Sequence, residues 1–148
     1  GWQMNEHAYR LQAEAGYTLA SDTRGTAPYV PVDAQGRVLG PLQLPTTLPT
    51  LDELIGVNGI DESNVASHLL RLTASEPRRD HVYTLHAEME GNRLAPVFEQ
   101  LLEGWQAQGY TVCATRDYAD SLDFTALPQH AVHNGEILGR SGTLTLQV

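Results

Sequence analysis

The chain has 148 residues, 41% of them apolar and 18% charged, which is enough to bury a core in one domain. Its formal charge of −9, with 9 Lys and Arg spread along the sequence, excludes the concentrated basic surface that nucleic acid or an electrostatic hold on anionic lipid requires. No apolar run approaches the ~20 residues that cross a bilayer and no signal peptide is visible, while a lone cysteine, Cys113, permits neither an intramolecular disulfide nor a cysteine zinc site and fits a reducing compartment.

The sequence opens Gly1-Trp2-Gln3 with Met4 already internal, so it is expected to be a piece of a longer domain. Asn5 caps a predicted helix to Ala15, with Ala8, Leu11 and Ala15 along one side and Gly16 as terminator. A short strand is predicted over 17–21. The Gly- and Pro-rich stretch 22–41 then reads as a long loop containing a small hairpin over 32–38. A second strand covers 42–44, and Thr50-Leu51-Asp52-Glu53 fits a capping box that starts a short helix ended by Gly56.

A longer helix is predicted from Asp61 to Thr73, with Val65, Leu69 and Leu72 as its apolar stripe. Residues 81–88 alternate as a strand, with Val82, Thr84, His86 and Glu88 on one face. A helix over 94–108 carries Leu94, Val97, Phe98, Leu101, Leu102 and Trp105 at helical spacing. A strand over 110–114 and a helix over 115–122 follow. The last stretch reads as strands over 132–135, 136–138 and 143–148. Strands alternating with helices point to an α/β class with parallel strands. The core strands number half of those in a barrel, and an open four-stranded sheet is the competing architecture.

His86 is the residue whose position points most directly to chemistry. It falls at the C-terminal end of a predicted strand, where α/β barrels gather catalytic side chains, and imidazole exchanges protons near neutral pH. Taken alone, that position equally fits a structural histidine. Glu88, two residues on, could orient His86, bind substrate or face solvent. Asp22 and Arg24, after the first strand, could hold an anionic or hydroxylated ligand or simply form a turn. The hydroxyl-rich 44–50 could line a sugar site or only steer the chain into its helix. His-x-Glu also occurs in zinc deaminases, but their Pro-Cys-x-x-Cys segment is missing. His7, His68, His81, His130 and His133 lack metal-ligand spacing among themselves.

Four strings occur together in one order and spacing: Gly1-Trp2-Gln3, Ser21-Asp22-Thr23-Arg24-Gly25, Leu44-Pro45-Thr46-Thr47-Leu48-Pro49-Thr50-Leu51-Asp52-Glu53-Leu54-Ile55-Gly56 and Tyr83-Thr84-Leu85-His86-Ala87-Glu88-Met89-Glu90-Gly91. Together they resemble the polysaccharide-deacetylase, or NodB-homology, superfamily, in its branch that deformylates undecaprenyl-phosphate-linked 4-deoxy-4-formamido-L-arabinose. The resemblance spans residues 1–122 and loosens beyond 125. It implies the C-terminal half of a distorted (β/α) barrel over 1–124, with a small β appendage over 125–148. It further implies a divalent metal held by an Asp and two His, with a second Asp as base; those motifs lie upstream, so this chain is expected to supply no metal ligand.

What the resemblance leaves here is the third motif at Gly1-Trp2-Gln3, the fourth around Asp22 and the fifth, whose histidine matches His86 and protonates the leaving amine. Trp2, Gln3, Asp22, Arg24 and Glu88 are the expected substrate-binding or orienting residues. Gln3 departs from the Arg that many relatives carry, which removes a charge but keeps a donor and an acceptor. The implied activity is metal-dependent removal of a formyl group in lipid A modification, at the cytoplasmic face of the inner membrane and peripheral to it. The implied partners are the lipid-linked amino sugar and the missing N-terminal half of the barrel, and an exposed half-barrel edge would favour self-association. Two alternatives stand beside it: a deacetylase of another N-acyl sugar, and a non-catalytic sugar- or lipid-binding module.

Overall fold

A computed structural model describes residues 2–148, so Gly1 of the first motif lies outside the described residues. The chain is mixed α/β and divides into two compact units, one made of the residues up to Thr47 together with Thr115–Val148, the other of Leu48–Ala114.

In the first unit, Asn5 caps α1 (Glu6–Glu14) by accepting the Ala8 N–H at 2.9 Å. Its buried residue is Tyr9, while Leu11 stays 48% exposed, so the predicted Ala8–Leu11–Ala15 stripe is not the packed face. Two alanines discriminate faces weakly, and the large Tyr9 ring gains more by burial than Leu11. Strands β1 (Leu19–Ala20) and β3 (Leu42–Gln43) pair in parallel. Between them runs the long loop, which holds β2 (Val30–Val32) and the expected small hairpin, closed by a Val32–Val38 bridge and the Asp33–Arg37 ion pair.

The C-terminal stretch contributes α5 (Thr115–Asp120), β4 (Gln129–Glu136) and β5 (Thr143–Gln147). Strand β4 is one strand where two short ones are predicted; it pairs parallel to β2 and antiparallel to β5. Residues 125–148, set apart in the sequence as an appendage, are thus hydrogen-bonded to the N-terminal loop. The segment 23–25 joins the two small sheets: Arg24 N–H donates to Thr145 O and Arg24 O accepts from Gln147 N–H, while Gly25 N–H donates to Thr46 O. A Cβ at Gly25 would lie 2.3 Å from Gln147 Oε1, so this crossing needs a bare backbone.

The second unit is helical. Thr50 starts α2 (Leu51–Leu54) with the expected capping box, its N–H donating to Glu53 Oε2 at 3.0 Å. Asp61 and Asn64 turn the chain into α3 (Val65–Thr73), and α4 spans Ala95–Ala107. Leu51, Val65, Leu69, Leu94, Val97, Leu101 and Trp105 form one buried cluster, most of them read at helical spacing in the sequence. Leu72 is 40% exposed instead, its place on the buried face being taken by Ala66 and Thr73.

Two expected strands differ. Residues 81–86 belong to no strand and 87–88 already begin a helical turn, which continues as a π turn over Met89–Arg93. Residues 110–114 belong to no strand either. Alternation records which side of a segment is apolar, but a strand also needs a neighbour in register, and the ladders among the described residues are those of β1–β5 and their bridges.

Leu101 is fully buried at the centre of the helical cluster and Leu11 is half exposed. Leu101→Ala should therefore cost about 2–5 kcal/mol and Leu11→Ala within about 0.5 kcal/mol, read from urea unfolding of the two variants.

Candidate active site around His86

The residues ahead of α4 place His86 through the needs of a helix start. A helix leaves its first N–H groups without intrahelical partners. His86 occupies the cap position ahead of Ala87, its carbonyl accepting from Met89 N–H at 2.8 Å and Glu90 N–H at 3.0 Å. Its own N–H donates to Glu90 Oε2 at 3.0 Å, and the other oxygen of that carboxylate accepts the Tyr83 hydroxyl at 2.9 Å. Glu90 is 2% exposed. Burial first, then the Glu90 carboxylate, pushes the Tyr83 hydroxyl well above the ordinary phenol range, which keeps it a donor. The ring of Tyr83 stacks at 6.4 Å from Phe98 and lies 5.3 Å from Trp105, so the helical core fixes it from the other side.

The imidazole itself faces α2. His86 Nδ1 lies 3.3 Å from Asp52 Oδ1, and the same oxygen accepts the Thr50 hydroxyl at 2.6 Å. Nδ1 is buried, yet its approach to Asp52 lacks the direction of a hydrogen bond. The contact is therefore a charge facing a ring nitrogen, and rotation of the ring would align it. The two side chains are 28% and 39% exposed, which limits such a pair to about 0.2–1 kcal/mol of stability. Its consequence is orientational: a carboxylate beside Nδ1 favours the tautomer that carries its proton on that nitrogen.

The other expected residues sort by unit. Glu88 is exposed on the helical turn after His86. In the first unit, Trp2 is 6% exposed, with the Arg24 guanidinium 4.9 Å and the Arg140 guanidinium 4.7 Å from its ring centre. Thr145 N–H donates to Trp2 O, and Trp2 keeps a positive φ of 36°. Trp2 and Arg24 are thus brought together, and Arg140, absent from the sequence expectation, joins them. Gln3 is exposed and donates to Thr143 O at 3.3 Å. Asp22 accepts Gln12 Nε2 at 2.6 Å and its N–H donates to Gln43 Oε1 at 3.0 Å.

Sequence reading missed Asp52, Glu90 and Arg140 as site residues. Asp52 stood inside a helix-start motif and so had an ordinary structural explanation, and Glu90 appeared only within the motif string around His86. Four of the other histidines make structural contacts: His7 lies beside Arg10, His68 beside Arg71, His81 edge-on to Tyr110 and His130 edge-on to Tyr29. Among the described residues no group of three or more His, Cys, Asp or Glu could hold a metal. The residues present thus do not make the divalent-metal site that the motif resemblance implies, and no step below runs through it.

No protein-family model matches the chain. Two curated relatives match it along nearly its whole length. A protein of Shewanella sediminis (strain HAW-EB3), named "Probable 4-deoxy-4-formamido-L-arabinose-phosphoundecaprenol deformylase ArnD", is 33% identical over 147 residues, covering 99% of this chain and 46% of the relative. A protein of Wigglesworthia glossinidia brevipalpis with the same name is 32% identical over 149 residues, covering 99% of this chain and 50% of the relative. The chain spans about half the length of the curated relatives it matches, and the likeness indicated by its motifs extends across it.

Burial leaves two phenols of the first unit, Tyr9 and Tyr29, hard to ionise. Tyr29 donates to Thr23 Oγ1 at 2.9 Å, and burial pushes its hydroxyl from 10.0 up to about 12. An unfolded chain releases that proton near 10, so the stability tied to neutral Tyr29 is complete below pH 10 and falls away towards about pH 12. Tyr29→Phe should flatten the loss of stability over that interval, measured by urea midpoints at stepped alkaline pH.

Proposed function

We propose that this chain, similar over nearly its whole length to part of the 4-deoxy-4-formamido-L-arabinose-phosphoundecaprenol deformylases, supplies the proton-donating half of such a site as part of a longer polypeptide. The observation that carries the reading is His86, held at a helix start with a carboxylate 3.3 Å from its Nδ1. The reaction is hydrolysis of a formamide: water adds to the formyl carbon, the C–N bond breaks, and formate and the free amine leave. An amide anion is too poor a leaving group to depart unprotonated. His86, with Asp52 beside its Nδ1, gives the nitrogen its proton. A positioned acid of this kind contributes about 10²–10⁴ in rate.

The remainder of the reading rests on the likeness to the deformylases. A divalent metal would be held by residues outside those described here and would supply the polarisation of the formyl oxygen. The chain would form the C-terminal half of a deacetylase-type barrel, and the lipid-linked sugar would be met at the cytoplasmic membrane surface, the enzyme lying peripheral to it. Among the described residues no helix is long and apolar enough to cross a membrane.

The test is His86→Ala in the full-length protein assayed for formate release from the lipid-linked formamido sugar. The expected result is a fall in kcat of about 10²–10⁴ with the fold retained by circular dichroism. Deformylation at the wild-type rate would remove His86 from the chemistry. Release of acetate from the N-acetyl analogue faster than formate from the formamide would assign the site to a deacetylase instead.

A further inference from the structure

The site contains a buried charge that capping alone does not explain. Glu90 is 2% exposed, and taking a carboxylate out of water costs several kcal/mol before its contacts compensate. The usual way to satisfy a helix-start N–H is an exposed Ser, Thr, Asp or Asn at the cap position. Here that position belongs to His86, whose ring is turned to Asp52. The capping work falls to a residue four positions on, whose two oxygens take two different donors: the His86 N–H at 3.0 Å and the Tyr83 hydroxyl at 2.9 Å.

We propose that Glu90 is a positioning residue for His86, fixing the imidazole by clamping the His86 backbone to the Tyr83 phenol. This rests on the reading of His86 as the proton donor. The lever is geometric. Tyr83 is anchored in the helical core by Phe98 and Trp105, so it gives Glu90 a fixed reference. Glu90 passes that reference to the His86 N–H, and the ring attached to this backbone then meets Asp52. Displacing a catalytic group by about 1 Å can cost about 10²-fold in rate.

Reach and charge are separable at position 90. In Glu90→Gln the amide oxygen still accepts the His86 N–H, and the amide NH2 donates to the Tyr83 hydroxyl, which turns to accept. In Glu90→Asp the charge stays, but the side chain is one methylene shorter and cannot span both donors. In the full-length protein, Glu90→Gln should keep kcat for formate release within about 3-fold of wild type. Glu90→Asp should lower kcat about 10–100-fold while KM changes less than about 2-fold.

Nuclear magnetic resonance gives a readout independent of turnover. The His86 amide proton should keep its downfield position and slow exchange in Glu90→Gln and lose both in Glu90→Asp. The reverse ranking, a fall in Glu90→Gln with Glu90→Asp unchanged, would make the role one of charge and overturn positioning. Loss of the His86 amide signature in Glu90→Asp with kcat unchanged would also overturn it. If Glu90→Asp does not fold, a folded Glu90→Gln that loses more than 10-fold in kcat overturns the proposal by itself. A wild-type protein that releases no formate would defeat the parent reading, and the amide signatures would still decide whether Glu90 holds the His86 backbone.

Discussion

The candidate site depends on how two helix starts satisfy N–H groups that no helix can satisfy for itself. At α2 the Thr50 N–H goes to Glu53, and ahead of Ala87 the His86 N–H goes to Glu90; both glutamates are 2% exposed. Each carboxylate is hidden so that a neighbouring side chain is left available. At α2 the Thr50 hydroxyl, besides its part in the capping box, donates to Asp52, and at the second start the His86 ring is left to face Asp52. Asp52 is where the two meet. A pair this exposed contributes little to stability, so its conspicuous arrangement makes more sense as orientation than as glue.

The sequence displayed the helical part of this plainly. Leu94, Val97, Leu101 and Trp105 lie at helical spacing and are buried together, and Thr50-x-x-Glu53 forms its box. Residues 81–88 were harder, because alternation there is real while the ladder is absent and a helical turn already takes up the last two residues, 87–88. His86 was visible as a candidate, but for a reason that changes: it stands at the cap of a helical turn rather than at the end of a strand. Asp52 and Glu90 were not legible as its partners. Their spacings of 34 and four residues carry no chemical signature, and Asp52 already had a helix-start explanation.

The first unit follows a different logic. Its strands are short, and they are held by crossings of backbone rather than by one large apolar face. Arg24 serves both ends of that arrangement, its backbone paired along β5 and its side chain laid on Trp2. That explains why Ser21-Asp22-Thr23-Arg24-Gly25 reads ambiguously as turn or ligand site: the same residues make the join and carry the charge. Cation–π contacts of this partly buried kind contribute about 0.5–2 kcal/mol each, enough to fix where two guanidinium groups stand.

Taken chemically, the described residues are lopsided. They hold, on the proposed reading, an acid with a carboxylate beside it and a second carboxylate on its backbone, while no cluster among them could hold a metal. Hydrolysis of an amide needs both a nucleophile delivered to carbon and a proton delivered to nitrogen, and these act at opposite ends of the bond that breaks. A division of the two tasks between different stretches of one polypeptide is consistent with a chain that aligns over 99% of its own length and about half of its relatives'. On the same reading, rigidity at His86 would have a use. A proton donor assembled apart from the nucleophile must already be aimed when the tetrahedral carbon forms, and the buried Glu90 carboxylate, bound to the His86 N–H, would hold that aim without touching the ring.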